Sequence, residues 1–256
     1  MIATLGPEGT YSHRAAEKLD DVVEFYSGVP EIADAVVEGD VEAGVVPIEN
    51  SIEGSVNATL DVLIDYDLYV TGEIYVDVHH ALIGASDDFT VVASHPQALA
   101  QCRGYLREHY PDVELKSVSS TAAAVELARE NPEVAALAHP SLAGDGVDVV
   151  AEEVEDEGGN TTRFVRLETS ARDGGAKTSV VVYPGRDRPG LLYDILGVFE
   201  RREINLTRIE SRPSKRALGD YVFHLDFEDG DVDGVLGELE GEVEWVVYLG
   251  SYDVLG

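Results

Sequence analysis

Residues 160–164 read NTTRF and directly follow the acidic run EEVEDEGG. Two threonine hydroxyls and a guanidinium in consecutive positions are donors suited to an anion or a leaving oxygen, although an arginine paired with the neighbouring acids would read the same way. Three further stretches place polar groups where a strand runs into a turn or helix. LGPEGTYSH (5–13) frees the backbone at Gly6 and Gly9 and sets Thr10 and Ser12 near a helix start, an arrangement that serves an anion cradle or an ordinary cap. VPIENSIEGSV (46–56) delivers Glu49, Asn50 and Ser51 at the end of an apolar strand. Ligands gather there in open α/β sheets, and a structural turn has the same form. SHPQALAQC (94–102) brings His95, Pro96 and Gln97 to a helix start, with Pro96 as a first-turn residue and Gln97 facing either a ligand or solvent.

Other chemistries find no foothold. There is no Walker loop, GxGxxG or GxSxG. His79 and His80 are adjacent rather than on one face, and no metal-ligand spacing surrounds them. The run EEVEDE (152–157) reads as a solvated face in a chain where carboxylates are everywhere. Neither a metal nor a cofactor is expected.

Strand-like runs alternate with amphipathic helical segments: VVEFYS, PEIADAVVEGD, AGVVPI, SVNATLDVLIDYD. Pro30 suits a first helical turn and Gly39 a helix end. A second cycle runs VVAS, PQALAQCRGYLREHY, ELKSVSS, TAAAVELARE, VAALA and VDVVAEEV, so two lobes are expected. After the NTTRF loop, FVRLETS could return to the first sheet as a crossing strand. Lobe 1 is then about 1–78 with 160–172, and lobe 2 about 79–159. ARDGGAKTS marks a boundary. Beyond it, over 177–256, the order strand, helix, strand, strand, helix, strand is a ferredoxin-like βαββαβ module. Cys102 is the single cysteine, which rules out an internal disulfide and fits a small buried helix residue.

The balance of 50 Asp and Glu against 18 Lys and Arg, a formal net charge of −32, excludes nucleic acid and anionic membranes as partners, because both need a dense positive footprint. No run of about 18 uncharged apolar residues suggests a membrane span, and the opening MIATLGPEGTYS has no leader pattern, so the expected location is the cytoplasm.

Taken together these motifs resemble the prephenate dehydratase family over nearly the whole chain: LGPEGTYS and VPIENSIEGSV in lobe 1, SHPQALAQC in lobe 2, and NTTRF on the return. The last module resembles the ACT regulatory domain, with ESRP (210–213) unaltered and Gly190, Leu191, Leu192 and Tyr193 in place of the family's GALV. The resemblance implies an α/β fold with a two-lobed, periplasmic-binding-protein-like catalytic domain, and a start at the dehydratase part without a chorismate mutase segment. It implies loss of carbon dioxide and hydroxide from prephenate to give phenylpyruvate for phenylalanine synthesis. Thr162 would be the catalytic proton donor, and Arg163, Glu49, Asn50, Ser51, Gln97 and Thr10 would bind substrate. L-phenylalanine would act as allosteric effector at Pro189, Gly190, Leu191, Leu192, Asn205, Leu206, Glu210, Ser211, Arg212 and Pro213, where modules pair in a homodimer or homotetramer. An arogenate dehydratase, or a non-catalytic amino-acid-sensing protein, would carry much of the same pattern.

The acidic composition is similar to that of proteins from salt-rich cytoplasm. In molar salt the Debye length falls to about 3 Å, so self-repulsion that weakens the fold in dilute buffer is screened. The melting temperature is therefore expected to be higher in molar KCl than in dilute buffer, and an unchanged value would contradict this reading.

Overall fold

The computed structural model describes residues 1–256 except 21, 173, 186, 187 and 229. Lobe 1 runs β1 (Ile2–Leu5), α1 (Tyr11–Glu17), β2 (Val23–Tyr26), α2 (Val29–Glu38), β3 (Ala43–Asn50), the two-residue β4 (Gly54–Ser55), α3 (Asn57–Asp65) and β5 (Tyr69–Asp77). Helix α2 shows how local signals act here. Pro30 lies in its first turn, Val29, Ile32, Ala33 and Val36 bury one face, and Gly39 ends it in the left-handed region at φ 78°.

Lobe 2 contains β6 (Ala81–Gly84), β7 (Val91–Ser94), α4 (Pro96–Gln101), α5 (Arg103–His109), β8 (Glu114–Ser117), α6 (Thr121–Glu130), β9 (Val134–Ala138), a 3₁₀ turn (Pro140–Leu142) and β10 (Asp148–Ala151). The chain then returns through β11 (Thr161–Glu168). The first sheet has the order β2-β1-β3-β11-β5 with β4 on β3, and the second β10-β6-β9-β7-β8. β11 is antiparallel to both of its neighbours, so the crossing strand lies inside the first sheet.

Two local expectations are corrected. NTTRF is not a loop: Thr161 to Phe164 already belong to β11. The single helix expected over 96–110 is two, broken at Cys102, because Asp156 supplies the second with a cap from a distant segment. Its carboxylate accepts from the Gly104 and Tyr105 N–H groups at 2.7 and 2.8 Å. EEVEDE is therefore not merely a solvated face. Its Glu155 also accepts from the His80 N–H at 3.1 Å.

The C-terminal module runs β12 (Lys177–Tyr183), α7 (Leu191–Arg201), β13 (Leu206–Pro213), β14 (Tyr221–Glu228), α8 (Val232–Glu242) and β15 (Trp245–Tyr252), with sheet order β13-β14-β12-β15. All three pairings are antiparallel, as the βαββαβ order requires. One face carries α7 and α8 over Val180, Val182, Leu225 and Phe227. The opposite face is buried on lobe 1, where Val181, Tyr183, Val222, Leu249 and Tyr252 share a core with Leu60, Leu63, Val70 and Val165. Gly250, at φ 131°, sits so close to the Val70 carbonyl oxygen that a Cβ would collide with it. Beyond β15 the chain bonds to Glu73 of β5, through Glu73 N–H to the Asp253 carbonyl (3.1 Å) and Leu255 N–H to the Glu73 carbonyl (2.8 Å). The first sheet's edge is thereby covered.

Candidate active site in the inter-lobe cleft

Strand β11 alternates, so Thr162 and Phe164 face one side of the first sheet and Thr161 and Arg163 the other. The first pair lines a cleft of about 330 Å³ between the lobes, bounded also by Thr10 and Tyr11 at the start of α1, Asn50 of β3, His95 and Gln97 at the start of α4, and Ser119 to Thr121 at the start of α6. Thr162 lies opposite Asn50 in the β3 pairing, and the register shifts between Arg163 and Phe164, opposite Glu49 and Pro47. Pro47 has no N–H to give a regular ladder there.

A chain of amides fixes the polarity of this site. The Ile52 and Glu53 N–H groups both donate to Asn50 Oδ1 at 3.0 Å, so Asn50 Nδ2 must face the other way. It donates to Asn160 Oδ1 at 2.7 Å and to Thr162 Oγ1 at 2.9 Å. Asn160 Nδ2 donates in turn to Gln101 Oε1 at 3.1 Å. That oxygen is then the acceptor for His80 Nε2 at 3.0 Å, which places the imidazole proton on Nε2. Within this chain two buried atoms have no hydrogen-bond partner among the described residues, His80 Nδ1 as an acceptor and Gln101 Nε2 as a donor. Burial, offset in part by the Gln101 bond, lowers the pKa of His80 and keeps the ring neutral. Because Thr162 Oγ1 already accepts from Asn50, its own hydrogen is left for the cleft.

Tyr11 is not a competing donor. Its hydroxyl is given to the His79 carbonyl at 2.5 Å, and burial raises its pKa further. Among the described residues, the cleft lining contains no Lys or Arg. Positive potential comes instead from three helix N-termini whose capping residues face it: Thr10 for α1, His95 for α4 and Ser120 for α6. Arg14 ties the lobes together through His139 Nδ1 at 2.9 Å and Ser141 Oγ at 2.8 Å. Burial, with the Arg14 charge second, pushes the pKa of His139 down to about 4, so it accepts that bond as a neutral ring.

Thr162, expected as the proton donor, meets Thr10, Asn50 and Gln97, expected to bind substrate, in the cleft, whereas Arg163, Glu49 and Ser51 lie outside it. Arg163 points to the opposite face, where Nε donates to Glu73 at 2.7 Å, Nη1 to Asp226 at 2.6 Å and Nη2 to the Tyr252 hydroxyl at 2.8 Å. Glu49 faces the same way, 3.7 Å from Arg163 and 3.5 Å from Arg208. Ser51 Oγ accepts from the Thr161 N–H at 3.0 Å and fastens the start of β11. Asn160, Gln101 and His80 join the site through contacts between distant segments. Gln101 lies four residues after Gln97, on the same helix face, and that spacing was a usable signal.

The residues expected to bind an effector are divided too. Glu210 accepts from Ser55 Oγ at 2.8 Å and Arg212 donates to Asp61 at 2.8 Å, so both side chains hold β13 to lobe 1. Gly190, left-handed at φ 86°, caps α7, Leu192 is exposed beside it, and Asn205 donates to Glu228 at 3.2 Å.

Sequence comparison decides the family. The prephenate dehydratase family pattern matches residues 2–172 and the ACT domain pattern residues 180–243. The chain belongs to the prephenate dehydratase family. A prephenate dehydratase of Methanocaldococcus jannaschii is 40% identical over 99% of this chain and 98% of its own length. A bifunctional chorismate mutase/prephenate dehydratase of Aquifex aeolicus is 40% identical over 98% of this chain and 73% of its own. A solved prephenate dehydratase from Arthrobacter aurescens, in complex with L-Phe, superposes with a TM-score of 0.88 at 33% identity, covering 98% of this chain and 89% of that one. Among the described residues, no helix is long and apolar enough to cross a membrane.

Within this dehydratase fold the Asn50 amide is the hub of the cleft. Asn50→Asp keeps its shape but removes both donated bonds, and is expected to destabilise the protein by about 1–3 kcal/mol, the cost of leaving buried partners unsatisfied. Denaturant unfolding checks this, and an unchanged midpoint would contradict the amide chain.

Proposed function

We propose that this chain converts prephenate to phenylpyruvate, carbon dioxide and water, with Thr162 as the proton donor. The ring carboxylate leaves as carbon dioxide, its electron pair aromatises the ring, and the C4 hydroxyl departs with a proton from Thr162 Oγ1. A threonine is a weak acid in water, so the site must favour the oxygen it leaves behind. Asn50 Nδ2, locked in orientation and 2.9 Å from Thr162 Oγ1, does that by donating to the developing negative charge. This bond carries the reading. The side-chain carboxylate and the keto acid's polar groups would meet N–H groups and hydroxyls at the starts of α1, α4 and α6, including Thr10 and Gln97, without an arginine.

The C-terminal domain would sense L-phenylalanine, the end product of the pathway, where modules of two or four copies pair. The helix start at Pro189 to Leu192 would receive the carboxylate, with Asn205, Leu206, Ser211 and Pro213 of the β13 edge beside it. Glu210 and Arg212 would serve as tethers to lobe 1. Support for this role comes from the relative solved with L-Phe.

Thr162→Ala is expected to lower kcat for prephenate by about 10²–10⁴, or roughly 3–5 kcal/mol of barrier, while Thr162→Ser keeps most of the activity. Ultraviolet detection of phenylpyruvate measures both. Near-normal turnover in the alanine variant would remove Thr162 from the mechanism.

A further inference from the structure

We infer that Asp226 and Tyr252 of the C-terminal domain are positioning residues for Thr162, acting through Arg163; this rests on Thr162 being the proton donor. Arg163 follows Thr162 in β11 and leaves the strand on the opposite face. Each of its three guanidinium nitrogens is committed: Nε to Glu73 of lobe 1, Nη1 and Nη2 to Asp226 and Tyr252 of the other domain. The Arg163, Glu73 and Asp226 side chains are only 6%, 4% and 3% exposed.

These contacts belong to a charge-balanced cluster of ion pairs. Arg163, Lys177 and Arg208 face Glu49, Glu73 and Asp226, three cations against three anions. Asp226 also accepts from Ser179 Oγ at 2.6 Å, and Ser179 reaches the Tyr252 hydroxyl at 2.5 Å, so the two groups that grip Arg163 are themselves braced. The β5 pairing runs unbroken from Thr161 to Arg166, but on the β3 side the register shifts between Arg163 and Phe164, so beside Thr162 the strand is held regularly on one edge only. A planar fork held at three points sets the local direction of the strand, and with it the direction in which Thr162 leaves the other face. Arg208 extends the cluster into β13, the strand that also carries ESRP, so a change in how β13 docks would reach Glu49 and Asp226 first.

The experiment uses the full-length chain with Asp226→Asn and Tyr252→Phe, reading prephenate kinetics and hydrogen exchange of the β11 amides. Positioning predicts that Asp226→Asn lowers kcat by about 10- to 100-fold, as small displacements of a reacting group do, with KM held within about two-fold. Tyr252→Phe should shift both readouts in the same direction by less, and the β11 amides should exchange faster in each variant. Wild-type kcat, or a raised KM with kcat unchanged, overturns the inference. Should Asp226→Asn fail to melt cooperatively, Tyr252→Phe decides by the same criteria. Wild-type protein that does not turn over prephenate at all sinks the proposed function instead, and the exchange rates then test the clamp on their own.

Discussion

Strand β11 is held between β3 and β5, and its alternation sends two adjacent side chains to opposite sides of one sheet. Thr162 enters the cleft between the lobes and Arg163 enters the junction with the C-terminal domain. A slip of one residue would exchange them, burying a hydroxyl among carboxylates and putting a guanidinium in the cleft. The site and the domain docking therefore depend on the same register, and the side-chain contacts on both faces oppose any slip.

Cations are scarce in this chain, 18 against 50 carboxylates, and their placement is informative. Arg163, Lys177, Arg208, Arg212 and Lys215 all pair across the junction between lobe 1 and the C-terminal domain. Among the described residues the cleft receives none and presents backbone N–H groups and hydroxyls at helix starts. Burial alone would favour neutral forms in the junction. Asp226 nevertheless stays below the usual carboxylate range, because Arg163 and Arg208 outweigh its desolvation. An acidic surface is compatible with the anion-binding role proposed for the cleft because these fixed dipoles act at short range, while distant carboxylates are screened.

Much of this organisation was legible in the sequence because it is local. Periodicity marked the lobes, Pro30 and Gly39 bounded α2, and the strand-helix order gave the βαββαβ module. Chain ends of strands and helices located Thr10, Asn50, Gln97 and Thr162, which meet in one cleft. The failures share one cause, contacts between residues distant in sequence. Nothing near Arg163 announces Asp226, 63 positions away, and nothing near Cys102 announces the Asp156 cap that divides the helix there. NTTRF has the composition of a loop, but it is a strand whose alternation separates Thr162 from Arg163. Reading it as a strand would have put them on opposite faces at once.

A crystal structure of the chain with a stable prephenate analogue would test the central claim directly. The account predicts the ring oxygen within about 2.6–3.2 Å of Thr162 Oγ1, the carboxylates against the N-terminal N–H groups of the cleft helices, and Arg163 still bound to Asp226. An analogue gripped by Arg163 after release from Asp226, or seated away from Thr162, would contradict it.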